Sequence, residues 1–128
     1  MSEAVEQQSE FQEPVEAVLE QVDSALAVLA VTGDGHLVAR AERKDIPSKR
    51  MAAMGSSLMS LGNTITKELS MGNCKNVISE NEEGVVVFMQ ITPKTVLVSV
   101  ASDNAALGML LSASRRCIDK INENLENQ

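Results

Sequence analysis

Two runs constrain this chain more than any others: Ala25–Val31 (ALAVLAV) and Val85–Ile91 (VVVFMQI). Both are apolar at odd and even positions alike, so as strands neither has a face that can meet water. Each must lie inside a sheet with helices packed above and below it. A chain of 128 residues is long enough for one such domain with its own core.

The other strands follow from the turns. Thr32-Gly33-Asp34-Gly35 predicts a hairpin that folds His36–Arg40 (HLVAR) back beside the first run. That short strand ends in charge, and Asn73–Glu80 (NCKNVISE) is mostly polar, so both suit the edges of a sheet. Thr92-Pro93-Lys94 turns the chain again, returning Thr95–Ser102 (TVLVSVAS) beside Val85–Ile91. With the apolar strands kept inside, the fold class is α/β. The expected sheet has five mostly antiparallel strands in the order 2-1-5-4-3, with helices on both faces and the element order α-β-β-α-β-β-β-α.

Three stretches have helical periodicity. The first spans about Glu13–Val22, with Pro14 in its first turn and Val15, Val18, Leu19 and Val22 on one face. The last is capped by Asp103 and runs to about Leu125. Its apolar residues fill only about 120° of the helix, enough to cover one surface. The middle helix starts near Asp45 and Pro47 and is expected to stop at Gly72.

That middle helix is the exception. Over Met51–Leu69 its apolar and small residues fill an arc of roughly 180°, wider than one core contact needs. One edge is bulky (Leu61, Met54, Ile65, Leu58); the other holds Gly55 and Gly62. Two interior glycines cost about 1 kcal/mol each relative to alanine, so a packing reason is expected. A partner helix approaching along the glycine edge, beside Met59 and Ala52, is the favoured one; the alternative is that the glycines accommodate the first helix or a loop of the same chain. Met51, Met54 and Met59 are read either as an adaptable recognition surface or as core.

Charge and composition narrow the function classes. The net charge is −7, and the chain holds two Phe with no Trp or Tyr. Both facts disfavour nucleic-acid binding, which uses basic surfaces and aromatic stacking. Seven acids and no base fall in residues 1–23, while the rest balances eleven acids with eleven bases. Residues 1–10 lack periodicity and are expected to form a flexible acidic arm on a domain covering 11–128. No run approaches the length of a membrane span, and the acidic start does not resemble a signal peptide, so a cytoplasmic location is expected. Cys74 and Cys117 lack metal-ligand spacing; one disulfide is possible, but two free thiols in a reducing compartment are favoured.

Catalytic signatures are weak. Gly33-Asp34-Gly35 joins two strands and lacks the helix and Lys-Ser/Thr of a phosphate loop. His36 has no partner at ligand or triad spacing, and Ser56 and Ser57 have no base nearby. Arg115 and Arg116 could in principle stabilise phosphoryl transfer, but a solvated helix face is the better reading. No catalytic residue, metal or cofactor is expected.

The segments AVLAVTGDGHLVA, AAMGSSLMSLGNTITKELSMG, EEGVVVFMQI and LVSVASDNAALGMLLSASRRCIDKI, in this order and spacing, resemble the roadblock (dynein light chain) domain family in its bacterial single-domain form. The resemblance spans roughly Val15–Leu125 and is roadblock/profilin-like in architecture. It implies a homodimer in which the third strands pair antiparallel into one continuous sheet and the second helices pack side by side. It also implies a non-enzymatic regulator, activator or adaptor of a Ras-like small GTPase that docks on the second-helix side. The residues then assigned to the dimer interface are Ala52, Gly55, Met59, Gly62, Thr66, Cys74, Asn76 and Ile78. Those assigned to the GTPase are Met51, Ser56 and Asn63. The rival readings are a scaffold dimer without a GTPase and a small-ligand sensor domain.

Overall fold

The structure is a computed structural model that describes the backbone of residues 3–127 and the side chains of residues 10–127. Its elements are α1 (Glu3–Gln21), β1 (Ala25–Thr32), β2 (Leu37–Glu42), α2 (Ser48–Glu68), β3 (Asn76–Asn81), β4 (Gly84–Thr92), β5 (Thr95–Ala101) and α3 (Leu107–Glu126). A short 3₁₀ turn, Asn104–Ala106, leads into α3, and it is this turn that Asp103 caps, accepting from the Ala105 N–H at 2.9 Å. The sheet is antiparallel throughout, in the order β2-β1-β5-β4-β3. Element order and strand order are those read from the sequence.

The two apolar runs lie inside the sheet, as their composition requires. Alternation sends Val28 and Ala30 of β1 to one face and Leu29 and Val31 to the other. On the first face α1 and α3 pack side by side, burying Phe11, Val15 and Val18 with Leu110, Cys117 and Ile121. On the second face α2 lies alone over Leu29, Phe88 and Val98. The larger core uses two helices and the smaller core one. Across the sheet–α3 boundary the buried hydroxyls of Ser99 and Ser114 satisfy each other at 2.9 Å.

The first helix departs from expectation. It begins at Glu3, so Pro14 sits in its interior and not in its first turn. An interior proline removes the N–H that would bond the carbonyl four residues back. The side-chain amide of Asn124 on α3 donates to that Glu10 carbonyl at 3.0 Å and replaces the missing bond. The backbone of residues 3–10 is thus continuous with the helix; the expected acidic arm rests on residues 1–2 and on side chains of 3–9 that lie outside the described set.

The second helix also stops differently. Ser70 takes the left-handed conformation (φ 55°), and the Met71 N–H reaches back to the Thr66 carbonyl at 2.8 Å while the Ser70 N–H reaches Lys67. This is a Schellman closure, two residues before the glycine expected to end the helix. At its start Pro47 occupies the cap position without a side-chain cap, so Asp45 does not serve as one.

Candidate functional site

Helix α2 presents two apolar faces, and the structure decides which is which. Ala52, Gly55, Met59 and Gly62 point inward and are buried against the chain's own sheet. A Cβ built on Gly55 would lie 3.1 Å from Val98 and 3.3 Å from Phe88; one on Gly62 would lie 2.7 Å from Sγ of Cys74. The glycines thus let α2 settle onto β4, β5 and the segment leading into β3. This corrects the assignment of the glycine edge to a partner helix. The wheel identified two faces but could not say which one the sheet's larger side chains would occupy.

The bulky edge faces out. Leu61, Ile65 and Leu69 remain 57%, 51% and 59% exposed, Met54 and Met71 are exposed as well, and Leu58 is half-buried beside them. Isolated surface aliphatics are ordinary, but a continuous stripe along one helix marks an interaction surface. Met54 and Leu58, with Ala53 and Ser57, also line a shallow apolar groove on this side.

The two sheet edges are treated differently. At β2, the side-chain amide of Gln12 donates to the Arg40 carbonyl at 2.8 Å and accepts from the Arg40 N–H at 3.4 Å. That side chain imitates a neighbouring strand and protects the edge. At β3 the strand order ends, and no element among the described residues pairs with its outer backbone groups. An uncovered edge is a template for pairing. Strand register splits the expected interface residues of this region. Cys74 packs under α2, whereas Asn76 and Ile78, opposite Met89 and Val87, lie on the α1/α3 side of the sheet. Ile78 is exposed there, and Oδ1 of Asn76 is buried without a hydrogen-bond partner among the described residues.

The three residues expected to contact a partner have internal roles. The Ser56 hydroxyl donates to the Gly33 carbonyl, tying the β1–β2 turn to α2. The Asn63 side chain accepts from the Cys74 N–H at 2.9 Å and holds the connection into β3. Met51 is half-buried against the α2-side core. Thr66, half-buried, donates to the Asn63 carbonyl at 3.2 Å. Beside Ser56 and Asn63, on the flank of α2 opposite the stripe, lies a cavity of about 370 Å³ also lined by Ser60, Thr64, Lys67 and Lys94.

The remaining chemical candidates stand apart from this surface. Asp34 and His36 are exposed in the hairpin turn, 3.5 Å apart; a hydrogen bond from the Thr32 hydroxyl holds the Asp34 carboxyl below its usual range. Arg116 donates to Gln21 at 2.7 Å, joining α3 to α1 on the far side of the sheet, and Arg115 is exposed on the same helix. Cys74 and Cys117 are free thiols on opposite faces of the sheet. Burial pushes Cys117 up to about 12. One structural residue had no sequence signature at all. Arg43 donates to the carbonyls of Leu19, Val22, Asp23 and Ala25, closing the C-terminus of α1 where the helix dipole favours a cation.

Among the described residues no helix is long and apolar enough to cross a membrane, and no group of three or more potential metal ligands forms. No curated protein sequence matches the chain. Solved structures do. The gliding protein MglB of Thermus thermophilus superposes with a TM-score of 0.83 at 17% identity, covering 100% of this chain and 95% of that one. An MglB with tetrameric arrangement gives 0.83 at 18% identity, covering 99% and 93%. A roadblock/LC7 domain from Streptomyces avermitilis gives 0.75 at 18% identity, covering 90% and 97%. At these identities the likeness establishes the roadblock fold. The family described as mitogen-activated protein kinase kinase 1 interacting matches residues 9–128. With that match spanning nearly the whole chain, this protein belongs to the mitogen-activated protein kinase kinase 1 interacting family and is built on the roadblock fold.

Proposed function

We propose that this protein is a non-enzymatic, homodimeric regulator or adaptor of a small Ras-like GTPase. The observation that carries the reading is the exposed stripe of α2, an apolar face that the chain's own sheet does not use. A second copy meeting it would bury Leu61, Ile65 and their neighbours, each contributing about 1 kcal/mol or more. The same two-fold contact would give the uncovered β3 edge a partner. The tetrameric arrangement of a similar MglB supports self-association. The interface therefore moves from the glycine edge to Met54, Leu58, Leu61, Ile65 and Leu69, together with β3.

The GTPase enters through the resemblance to roadblock domains, and we place it on the α2 side of the paired molecule. The flank bearing Ser60, Thr64, Lys67 and Lys94 stays open there and would suit a polar or acidic partner surface. Residues 11–128 form the working domain in this reading, with the acidic residues 1–10 as an extension of it. A cytoplasmic location fits a GTPase partner.

Immobilised protein is exposed to lysate of its source cells loaded with GTP or GDP, and retained proteins are identified by mass spectrometry. Retention of a small P-loop GTPase in one nucleotide state is the expected result. If no GTPase is retained in either state and large assemblies of other proteins are, the chain is a scaffold and the reading fails.

A further inference from the structure

The cavity of about 370 Å³ beside α2, on the flank opposite the apolar stripe, has walls that the chain's own hydrogen bonds fix in place. Ser56, Ser60, Asn63, Thr64 and Lys67 follow one another at helical spacing and form one wall. The β1–β2 and β4–β5 turns form the other, through Gly33 and Lys94. The Gly33 N–H donates to the Lys94 carbonyl at 2.8 Å, which joins turn to turn, and the Ser56 hydroxyl ties Gly33 to the helix. Inside the second turn the Lys94 N–H donates to the Thr92 hydroxyl at 3.2 Å. Preformed sites of about 300–1,000 Å³ hold small molecules, and this one lies at the compact end of that range.

Its lining has one electrostatic sign. The chain carries a net charge of −7, yet no carboxylate among the described residues lines this space. Lys67 and Lys94 do, and neither joins an ion pair among the described residues. Asp34, next to Gly33, is engaged by the Thr32 hydroxyl and stands 3.5 Å from His36. Asn63 commits its Oδ1 to the Cys74 N–H at 2.9 Å, and its amide N–H groups have no acceptor among the described residues. The Ser60 hydroxyl is exposed and has no partner among them either. Two ammonium groups and two spare donors around one small space match an anion with several acceptor oxygens. No aromatic side chain is present to stack a nucleobase, while the buried Met59 and Val96 supply a small apolar floor.

We propose that this cavity binds a small phosphorylated molecule with a short carbon skeleton. Lys67 and Lys94 neutralise the phosphate, Asn63 and Ser60 donate to its oxygens, and the skeleton rests on Met59 and Val96. A phosphate carries a charge of about −1.5 to −2 near neutral pH, which two ammonium groups balance. Lysine suits this task as a point charge on a flexible stem that adjusts to the ligand. The inference goes beyond the GTPase reading and does not depend on it, because the positive flank is assigned here to a free molecule.

Glycerol 3-phosphate is the probe, titrated into the full-length ¹⁵N-labelled chain at constant ionic strength, with glycerol and sodium chloride as controls. Saturable amide shifts are expected at Gly33, Lys94 and residues 56–67. Lys67→Gln and Lys94→Gln should each weaken binding by about fivefold or more. Lys49→Gln, at an exposed α2 lysine outside the cavity, should leave it unchanged. Asn63→Asp keeps an acceptor for the Cys74 N–H but replaces a donor with a negative oxygen, so it should abolish saturation while the thermal melt is retained. Shifts no larger than those from sodium chloride, or equal saturation by glycerol, overturn the proposal. Weakening by Lys49→Gln as large as that by Lys67→Gln also overturns it, because the binding is then diffuse charge and not this cavity.

Discussion

Gly62 sits against Cys74 so closely that a Cβ at position 62 would lie 2.7 Å from the cysteine Sγ and 3.3 Å from its Cβ. Real Cβ atoms do not approach sulfur so nearly, so one of the two must move. Gly62→Ala is expected to destabilise the chain by about 1–3 kcal/mol through overpacking, read as a lower urea midpoint. Cys74→Ala removes the nearest atom, so the double variant should recover much of that loss. If Gly62→Ala is as stable as wild type, α2 does not rest on this contact.

The outward stripe responds to a different substitution. Leu61→Glu and Ile65→Glu place charge on exposed positions and should leave the monomer's melting temperature within a few degrees of wild type. Self-association should weaken by about tenfold or more for each, because a carboxylate would have to be desolvated in the seam. Sedimentation across a concentration series separates the two effects. Loss of folding, instead of loss of association, would show that the stripe is part of the monomer's own core.

Arg43 stands where four carbonyls converge at the end of α1 and the start of β1, with Nη1 2.8 Å from the carbonyl of Asp23. Arg43→Ala should cost about 1–3 kcal/mol, since the bonds are charge-assisted and the freed carbonyls gain only water. Lysine keeps the charge but not the planar fork, so Arg43→Lys should restore only part of the loss. Hydrogen exchange would show the effect concentrated in the last turn of α1.

The two thiols should separate chemically. Cys117 is buried and its pKa is raised from 9.0 to about 12, whereas Cys74 is half-buried. A thiol reagent at neutral pH is expected to label Cys74 and to reach Cys117 only after denaturation. The same shift sets a pH dependence. The folded chain holds the Cys117 proton in a range where the unfolded chain has released it. The contribution is therefore intact below about pH 9 and is lost as pH rises through 9 towards 12, by at most about 1.4 kcal/mol per unit. With no tyrosine in the chain, phenol ionisation does not overlay that window. Cys117→Ala should flatten the dependence.

Sheet order was legible because Ala25–Val31 and Val85–Ile91 leave no solvent face, and that restriction is local to each strand. The orientation of α2 was not legible for the opposite reason. Both of its edges are acceptable core surfaces, and the choice depends on the volumes of Phe88, Val98 and Cys74, which lie far away in sequence. Small residues faced the home sheet because that sheet already filled the space. Pro14 by itself points to a helix start, because its missing N–H is usually tolerated only there. Its interior position depends on Asn124, more than a hundred residues later. Arg43 lay in a mixed-charge run, and nothing in its immediate neighbours distinguishes a cap from a solvated side chain.

The bond from Asn124 to the Glu10 carbonyl has a consequence for synthesis. Synthesis delivers α1 and β1 before β5, the strand that pairs with β1 on its inner side, and before α3, the helix that repairs the proline gap. Until then the α1 face has only β1 and β2 to cover. The layer of α1 and α3 therefore closes only after α3 has emerged, while the β1–β2 hairpin can form as soon as it emerges. Nascent chains stalled before α3 should leave Phe11, Val15 and Val18 accessible, and those are the lengths at which chaperone capture would be strongest.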